Sequence, residues 1–231
     1  MATKGKKAAV SKSKAKAKPA KKAAPSKQVR LYGHWLSQPA QRVALMLRLT
    51  RTPFSYSHVD LMTGENKKPG YMKISRFGQV PALECRGETM CQSTRILEFL
   101  ADQSGKFDGR STSNKRTVRE WLNWCDDRLV NLSRARAAIR FLKAKPEVIE
   151  YTKGNARAAL DVLNGHLEGR DFIVGKAPTI ADIAAFPAVA LADEAELNLK
   201  DWPNVYQWCV RMSKLPGAAM PYDLLPKESR A

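Results

Sequence analysis

The chain has 231 residues, 44% of them hydrophobic, which is enough to pack one large domain or two modest ones and too much for a disordered protein. No apolar run approaches the ~18 residues a membrane span needs, and the N-terminus lacks the apolar stretch of a secretory signal, so a protein of the reducing cytoplasm with no membrane segment is expected. The net charge of +18 is unevenly placed: residues 1–27 hold ten lysines and no acid, leaving thirty basic against 22 acidic residues, or +8, in residues 28–231.

Residues 1–27 are Lys, Ala, Ser and Pro in loose repetition, with Val10 the only branched apolar residue. Like charges repel along such a segment and nothing in it offsets the entropy of ordering, which predicts an extended, disordered arm. From Val29 the pattern changes. Val29–Tyr32 reads as a strand, Pro39–Leu49 as a helix with Val43, Leu45, Met46 and Leu49 apolar, and Ser55–Val59 as a second strand. A less regular stretch with Gly64, Pro69 and Gly70 precedes Pro81–Cys85, a turn at Arg86-Gly87, the strand Glu88–Met90 and a helix from Ser93 to about Asp102. That order, β-α-β, a connecting helix, then a hairpin and a helix, is the order of a thioredoxin-like domain, here 28–105.

Beyond the polar stretch Gln103–Lys115 the strand signals stop. Val118, Trp121, Leu122, Cys125, Leu129, Leu132, Ile139 and Leu142 recur at helical spacing, followed by Val148, Thr152, Ala156, Leu160, Leu163 and Leu167, so residues 112–231 read as an all-α C-terminal domain. Its third helix has a legible start. Thr179 stands at the N-cap with Asp182 at N3, an Asp variant of the capping box, and Pro178 and Ile183 occupy the staple positions. Cys85, Cys91, Cys125 and Cys209 form no C-x-x-C pair and no ligand pattern with His34, His58 and His166, so free thiols and no metal are expected.

Read together, LYGHWLSQPAQRVAL (Leu31–Leu45), VDLMTGE (Val59–Glu65), GQVPAL (Gly78–Leu83), QSTRILEFLA (Gln92–Ala101) and FIVGKAPTIADIAAFP (Phe172–Pro187) resemble the cytosolic glutathione transferase superfamily. The L-S-Q-P order after the first strand is most similar to its theta-like, serine-using branch, and the lysine-rich tail is histone-H1-like. The resemblance implies an α/β thioredoxin-like N-terminal domain plus an all-α C-terminal domain, a two-fold homodimer, and glutathione as co-substrate for attack on a small hydrophobic electrophile or a peroxide.

The resemblance also implies roles for particular residues. Ser37, just before a helix that Pro39 can start, would stabilise the glutathione thiolate where helix dipole and free amides favour an anion; an ordinary N-cap is the alternative. Val80-Pro81 would be cis and present the Val80 backbone to the tripeptide, with Gln38, Gln79 and Gln92 beside it and Ser93 holding the γ-glutamyl carboxylate at a helix N-terminus. Gln92 departs from the Glu usual in theta-like members, which removes a charge partner for the ammonium of glutathione. His34, Trp35 and Leu36 on the same loop, with Trp124 and Arg128 on the long helix, are candidates for the electrophile pocket. Thr179 and Asp182 are structural. The fold also hosts proteins that bind without catalysing, so a scaffold protein is the competing function. On charge alone the tail can bind nucleic acid or another polyanion, with nucleoid or nuclear association as one consequence.

Overall fold

The computed structural model describes residues 1–2 and 29–229. The expectation of a disordered arm over residues 1–27 therefore lies, except for its first two residues, outside the described residues. Four strands, β1 (Val29–Gly33), β2 (Phe54–His58), β3 (Ala82–Cys85) and β4 (Glu88–Cys91), form one mixed sheet in the order β2-β1-β3-β4. β1 runs parallel to β2 with Leu31 opposite Tyr56, and antiparallel to β3 with Leu31 opposite Leu83. The parallel pair needs a crossover, and α1 (Gln38–Leu49) supplies it. The β3–β4 pair needs only the Arg86-Gly87 turn, in which both residues take positive φ. A short α2 (Pro69–Met72) connects the halves of the sheet, and α3 (Ser93–Ser104) follows β4.

The helical part starts at Thr112. α4 (Thr112–Trp124) passes through a π-helical turn (Cys125–Leu129) into α5 (Val130–Arg140), followed by α6 (Pro146–His166), α7 (Ile180–Val189), α8 (Pro203–Ser213) and α9 (Pro221–Leu224). Among the described residues no helix is long and apolar enough to cross a membrane. The apolar series read as ending at Leu142 outruns α5, which stops at Arg140: Leu142 lies in the α5–α6 connection and is 72% exposed, whereas Val148, the first residue of the next series, is in the first turn of α6 and 49% exposed.

Two helices bind the halves together. α1 carries apolar residues around most of its circumference, as a helix covered on several sides must: Val43, Ala44, Leu45, Met46 and Leu47 are fully buried. It packs on α3 and on α7, all of whose residues are buried. The start of α7 is the capping box expected from sequence. Asp182 takes the Thr179 N–H at 2.8 Å, the Thr179 hydroxyl at 3.1 Å, the Ile173 N–H at 2.9 Å and the Trp208 Nε1–H at 2.9 Å. One carboxylate thus ties the helix start to the preceding loop and to α8. Full burial pushes its pKa up, against the downward pull of those bonds.

Candidate functional site

A cleft of about 480 Å³ opens where the ends of α1, β4 and α3 meet the π-helical turn, lined by Ser37, Pro39, Arg42, Leu61, Asn66, Ser75, Gln79, Val80, Pro81, Cys91, Gln92, Ser93, Asp126, Val130 and Ser133. A second hollow, about 530 Å³, lies between residues 105–114 and 174–179 and shares none of these residues.

Ser37 is the N-cap of α1, and its Oγ accepts the Ala40 N–H at 3.3 Å. Capping uses a lone pair of the hydroxyl and leaves its O–H free to donate into the cleft. Pro39 sits at the second helical position, one later than the sequence reading places it; there too its missing N–H costs no intrahelical bond.

Ser93 is the first residue of α3, behind an N-cap, Gln92, whose side chain makes no capping bond. The first-turn amides of α3 therefore have no capping partner, a ready anion site. Gln92 itself is held at φ 71°, unusual for a residue with a side chain, and its amide donates to the Gln79 side chain at 3.2 Å.

The wall between them is a loop fixed from outside. Val80-Pro81 is cis. Tyr71 and Ser75 hydroxyls both donate to the Gln79 carbonyl at 2.9 Å, and the Asn66 amide donates to the Gly78 carbonyl at 2.7 Å. Gly78 has φ 55°, and a Cβ there would meet Met72 Sδ at 2.8 Å and the Asn66 carbonyl at 2.9 Å, so no other residue fits without displacement.

Sequence reasoning missed the charged pair at the floor of the cleft. Arg42, 3% exposed, donates from Nη1 to Asp126 Oδ1 at 2.7 Å and to Ser93 Oγ at 3.3 Å, while Thr94 Oγ donates to the other Asp126 oxygen at 3.0 Å. Arg42 Nε is buried without a partner. The signal was present as a lone cation directly before the apolar run Val43–Leu47, where only a charged partner makes its burial tolerable. Asp126 was not legible, because the π-helical turn adds a residue to the helical repeat and re-aims Asp126, Val130 and Ser133.

Several expected residues lie elsewhere. Gln38 is buried with its amide on the Pro187 carbonyl at 3.3 Å, because the first residue of α1 faces α7 and not the cleft. None of the five candidates for the electrophile pocket lines the cleft. His34 is buried beside Trp35 and His58, with ring centroids 6.2 and 5.0 Å away, and Trp35 packs near Tyr222. Leu36 contributes its carbonyl to Arg136. Trp124, the last residue of α4, packs edge-on against Trp121, at 4.9 Å, and Arg128, within the π-helical turn, is exposed and paired with Asp127 at 2.9 Å.

The thiols divide by burial. Cys125 and Cys209 are buried and their pKa values are pushed up to about 12 by desolvation, so both are inert; Cys85 is buried and Cys91 half-buried at the cleft. Among the described residues, no group of three or more His, Cys, Asp or Glu side chains is placed to hold a metal.

Comparison with known proteins bears on this geometry. Residues 37–103 match the family Glutathione S-transferase, N-terminal domain, and residues 129–216 match Glutathione S-transferase, C-terminal domain. Glutathione S-transferase F12 of Arabidopsis thaliana is 28% identical over 202 residues, covering 81% of this chain and 94% of its own. A possible glutathione S-transferase from Rhodopseudomonas palustris superposes with a TM-score of 0.80 at 27% identity, over 86% of this chain and 91% of its own. A glutathione transferase family member from Pseudomonas fluorescens, solved with two glutathione bound, shares the fold with a TM-score of 0.75 at 23% identity, over 83% of this chain and 90% of its own.

Proposed function

Because this chain belongs to the glutathione S-transferase superfamily, we propose that its cleft binds glutathione and ionises the thiol for attack on a small hydrophobic electrophile or a peroxide. The observation that carries this reading is the convergence of two helix N-termini on one cleft, with Ser37 at the start of α1 and Ser93 at the start of α3. Of the negative groups of the tripeptide, the γ-glutamyl carboxylate and the thiolate are the two that these helix starts would take, and each helix start favours an anion.

In this reading the Ser37 O–H donates to the sulfur, which as a thiolate is a far better nucleophile than the thiol. Lowering a thiol pKa from ~8.5 by about two units corresponds to ~2.7 kcal/mol of differential stabilisation. Ser93 and the uncapped amides of α3 take the γ-glutamyl carboxylate, the Val80 backbone pairs with the cysteinyl part, and Gln79 and Gln92 flank it. Asp126, partly exposed beside Ser93, supplies the charge for the ammonium that Gln92 cannot. Leu61, Pro39 and Val130 offer the apolar side to the electrophile.

The finer assignments rest on the sequence resemblance: a theta-like, serine-type homodimer in the cytoplasm, with a basic tail that gathers polyanions. The test is an ultraviolet difference titration of the bound thiol, run beside turnover with a chromogenic electrophile. Ser37→Ala is expected to raise the thiol pKa and lower turnover about tenfold or more while changing glutathione affinity little, since the hydroxyl acts on the sulfur and not on docking. A non-catalytic scaffold is distinguished by the same titration, in which the thiol of the wild-type complex would stay protonated at neutral pH.

A further inference from the structure

The loop His34–Ser37 is held by its own neighbours at three points. The Ser37 N–H donates to the His34 carbonyl at 2.9 Å, the Leu36 N–H to His34 Nδ1 at 3.2 Å, and the Gln41 amide to the Trp35 carbonyl at 2.8 Å. The Leu36 carbonyl alone is claimed from far away in sequence, by Arg136 Nη1 of α5 at 3.1 Å.

Arg136 is 3% exposed and spends each arm of its guanidinium on a different segment. Nη1 takes the Leu36 carbonyl, Nε takes Glu194 at 2.6 Å in the turn after α7, and Nη2 donates to the Tyr222 hydroxyl of α9 at 2.9 Å. Two rings also lie near the fork, its Cζ being 5.0 Å from the Phe141 centroid and 5.8 Å from that of Tyr222. Tyr222 closes the circuit by donating to the same Glu194.

The Leu36 carbonyl and the Ser37 N–H belong to one rigid peptide plane. With Arg136 on its oxygen and the His34 carbonyl on its N–H, that plane is fixed at both ends, and the backbone from which the Ser37 hydroxyl projects is fixed with it. A planar fork with five donors in set directions does this; a lysine, with one flexible ammonium, cannot reach three segments at once.

We propose that Arg136 is a positioning residue for Ser37, acting through the Leu36 carbonyl and supported by Glu194 and Tyr222; this rests on the reading that Ser37 stabilises the glutathione thiolate. The helical half and the C-terminal α9 thereby set the aim of the hydroxyl from behind the cleft, without touching glutathione.

The experiment measures kcat, glutathione KM and the ionisation of bound glutathione thiol in wild type, Ser37→Ala, Arg136→Lys, Tyr222→Phe and the double variant Ser37→Ala/Arg136→Lys. Arg136→Lys is expected to lower kcat about tenfold and shift the thiol titration by about one pH unit, with KM within about twofold. Tyr222→Phe, which removes one support and keeps the ring, is expected to lower kcat about threefold. The double variant should be no slower than Ser37→Ala, because a misplaced hydroxyl that is already absent cannot be lost twice.

A purely structural role would lower thermal stability and leave the titration of the folded complex where it was, which overturns the proposal. If Arg136→Lys does not fold, Tyr222→Phe decides, and an unchanged titration there overturns it as well. A Ser37→Ala variant with wild-type titration would sink the thiolate reading itself and this proposal with it, whereas a shifted Ser37→Ala beside an unshifted Arg136→Lys sinks only the positioning role.

Discussion

Replacing Asp182 with alanine is expected to be among the costliest single changes outside the cleft. The carboxylate is fully buried and accepts four hydrogen bonds, from the Ile173 and Thr179 N–H groups, the Thr179 hydroxyl and the Trp208 indole. Alanine leaves these donors facing a small void, and each orphaned buried donor costs about 1–3 kcal/mol. The Thr179 hydroxyl can rotate and still accept the Ala181 N–H at 3.2 Å, so that part of the cap survives. The remaining N–H donors have no such freedom, and a net loss of about 3–5 kcal/mol is expected after relaxation, comparable to breaking a buried charged pair. At about 2–4 °C per kcal/mol for a chain of this size, the melting temperature should fall by roughly 10 °C. Thr179→Ala removes the cap and the hydroxyl's bond to Asp182 but leaves the three N–H donors satisfied, and should cost about 0.5–2 kcal/mol. Urea unfolding followed by tryptophan fluorescence measures both, and activity per folded molecule should match wild type at low denaturant. A cost below about 1 kcal/mol for Asp182→Ala, or one no larger than that of Thr179→Ala, would refute the claim that this carboxylate joins α7 to α8 and the preceding loop.

Asp126→Asn should raise the glutathione KM about tenfold, roughly 1.4 kcal/mol, with kcat within about twofold, because it removes a charge from the proposed ammonium site; steady-state kinetics showing the reverse split would move Asp126 from binding to chemistry. His34 gives a pH dependence with a definite sign: burial first and then the neighbouring His58 push its pKa below 6.5, against the opposite pull of Asp60. The unfolded chain therefore binds this proton more readily than the folded one, so the contribution is complete above the ordinary histidine value and is lost as pH falls through the depressed one. Melting temperature should decline from pH 7 to 5 more steeply in wild type than in His34→Gln, and parallel curves would refute this. Deleting residues 1–27 should abolish DNA binding and leave transferase turnover unchanged; if six lysines each displace a phosphate counterion, full-length affinity should fall about a thousandfold between 50 and 200 mM salt without sequence preference. Equal DNA affinity with and without the tail would show that the tail is not the binding element.

Sequence by itself determined what local rules decide. Alternation and helical spacing placed all four strands and the helices on either side of them, the Thr179–Asp182 box placed the start of α7, and Ser37 before a proline marked the start of α1. These are decided within a few residues, by periodicity, capping and the fixed φ of proline, and no distant partner is needed to read them. Tertiary structure decided what depends on which face of a helix meets which neighbour. Gln38 lies next to Ser37 in sequence yet turns to Pro187. Trp124 and Arg128 share a helical face on a regular repeat, but the π-helical turn, which begins after Trp124 and contains Arg128, puts Asp126, Val130 and Ser133 on the cleft side. Arg42 and Asp126 are 84 residues apart, and Arg136 and Leu36 are 100 apart. Burial forces such polar groups to find partners, but the energy of a buried ion pair or a claimed carbonyl is indifferent to sequence separation, so the choice of partner appears only once the chain has packed.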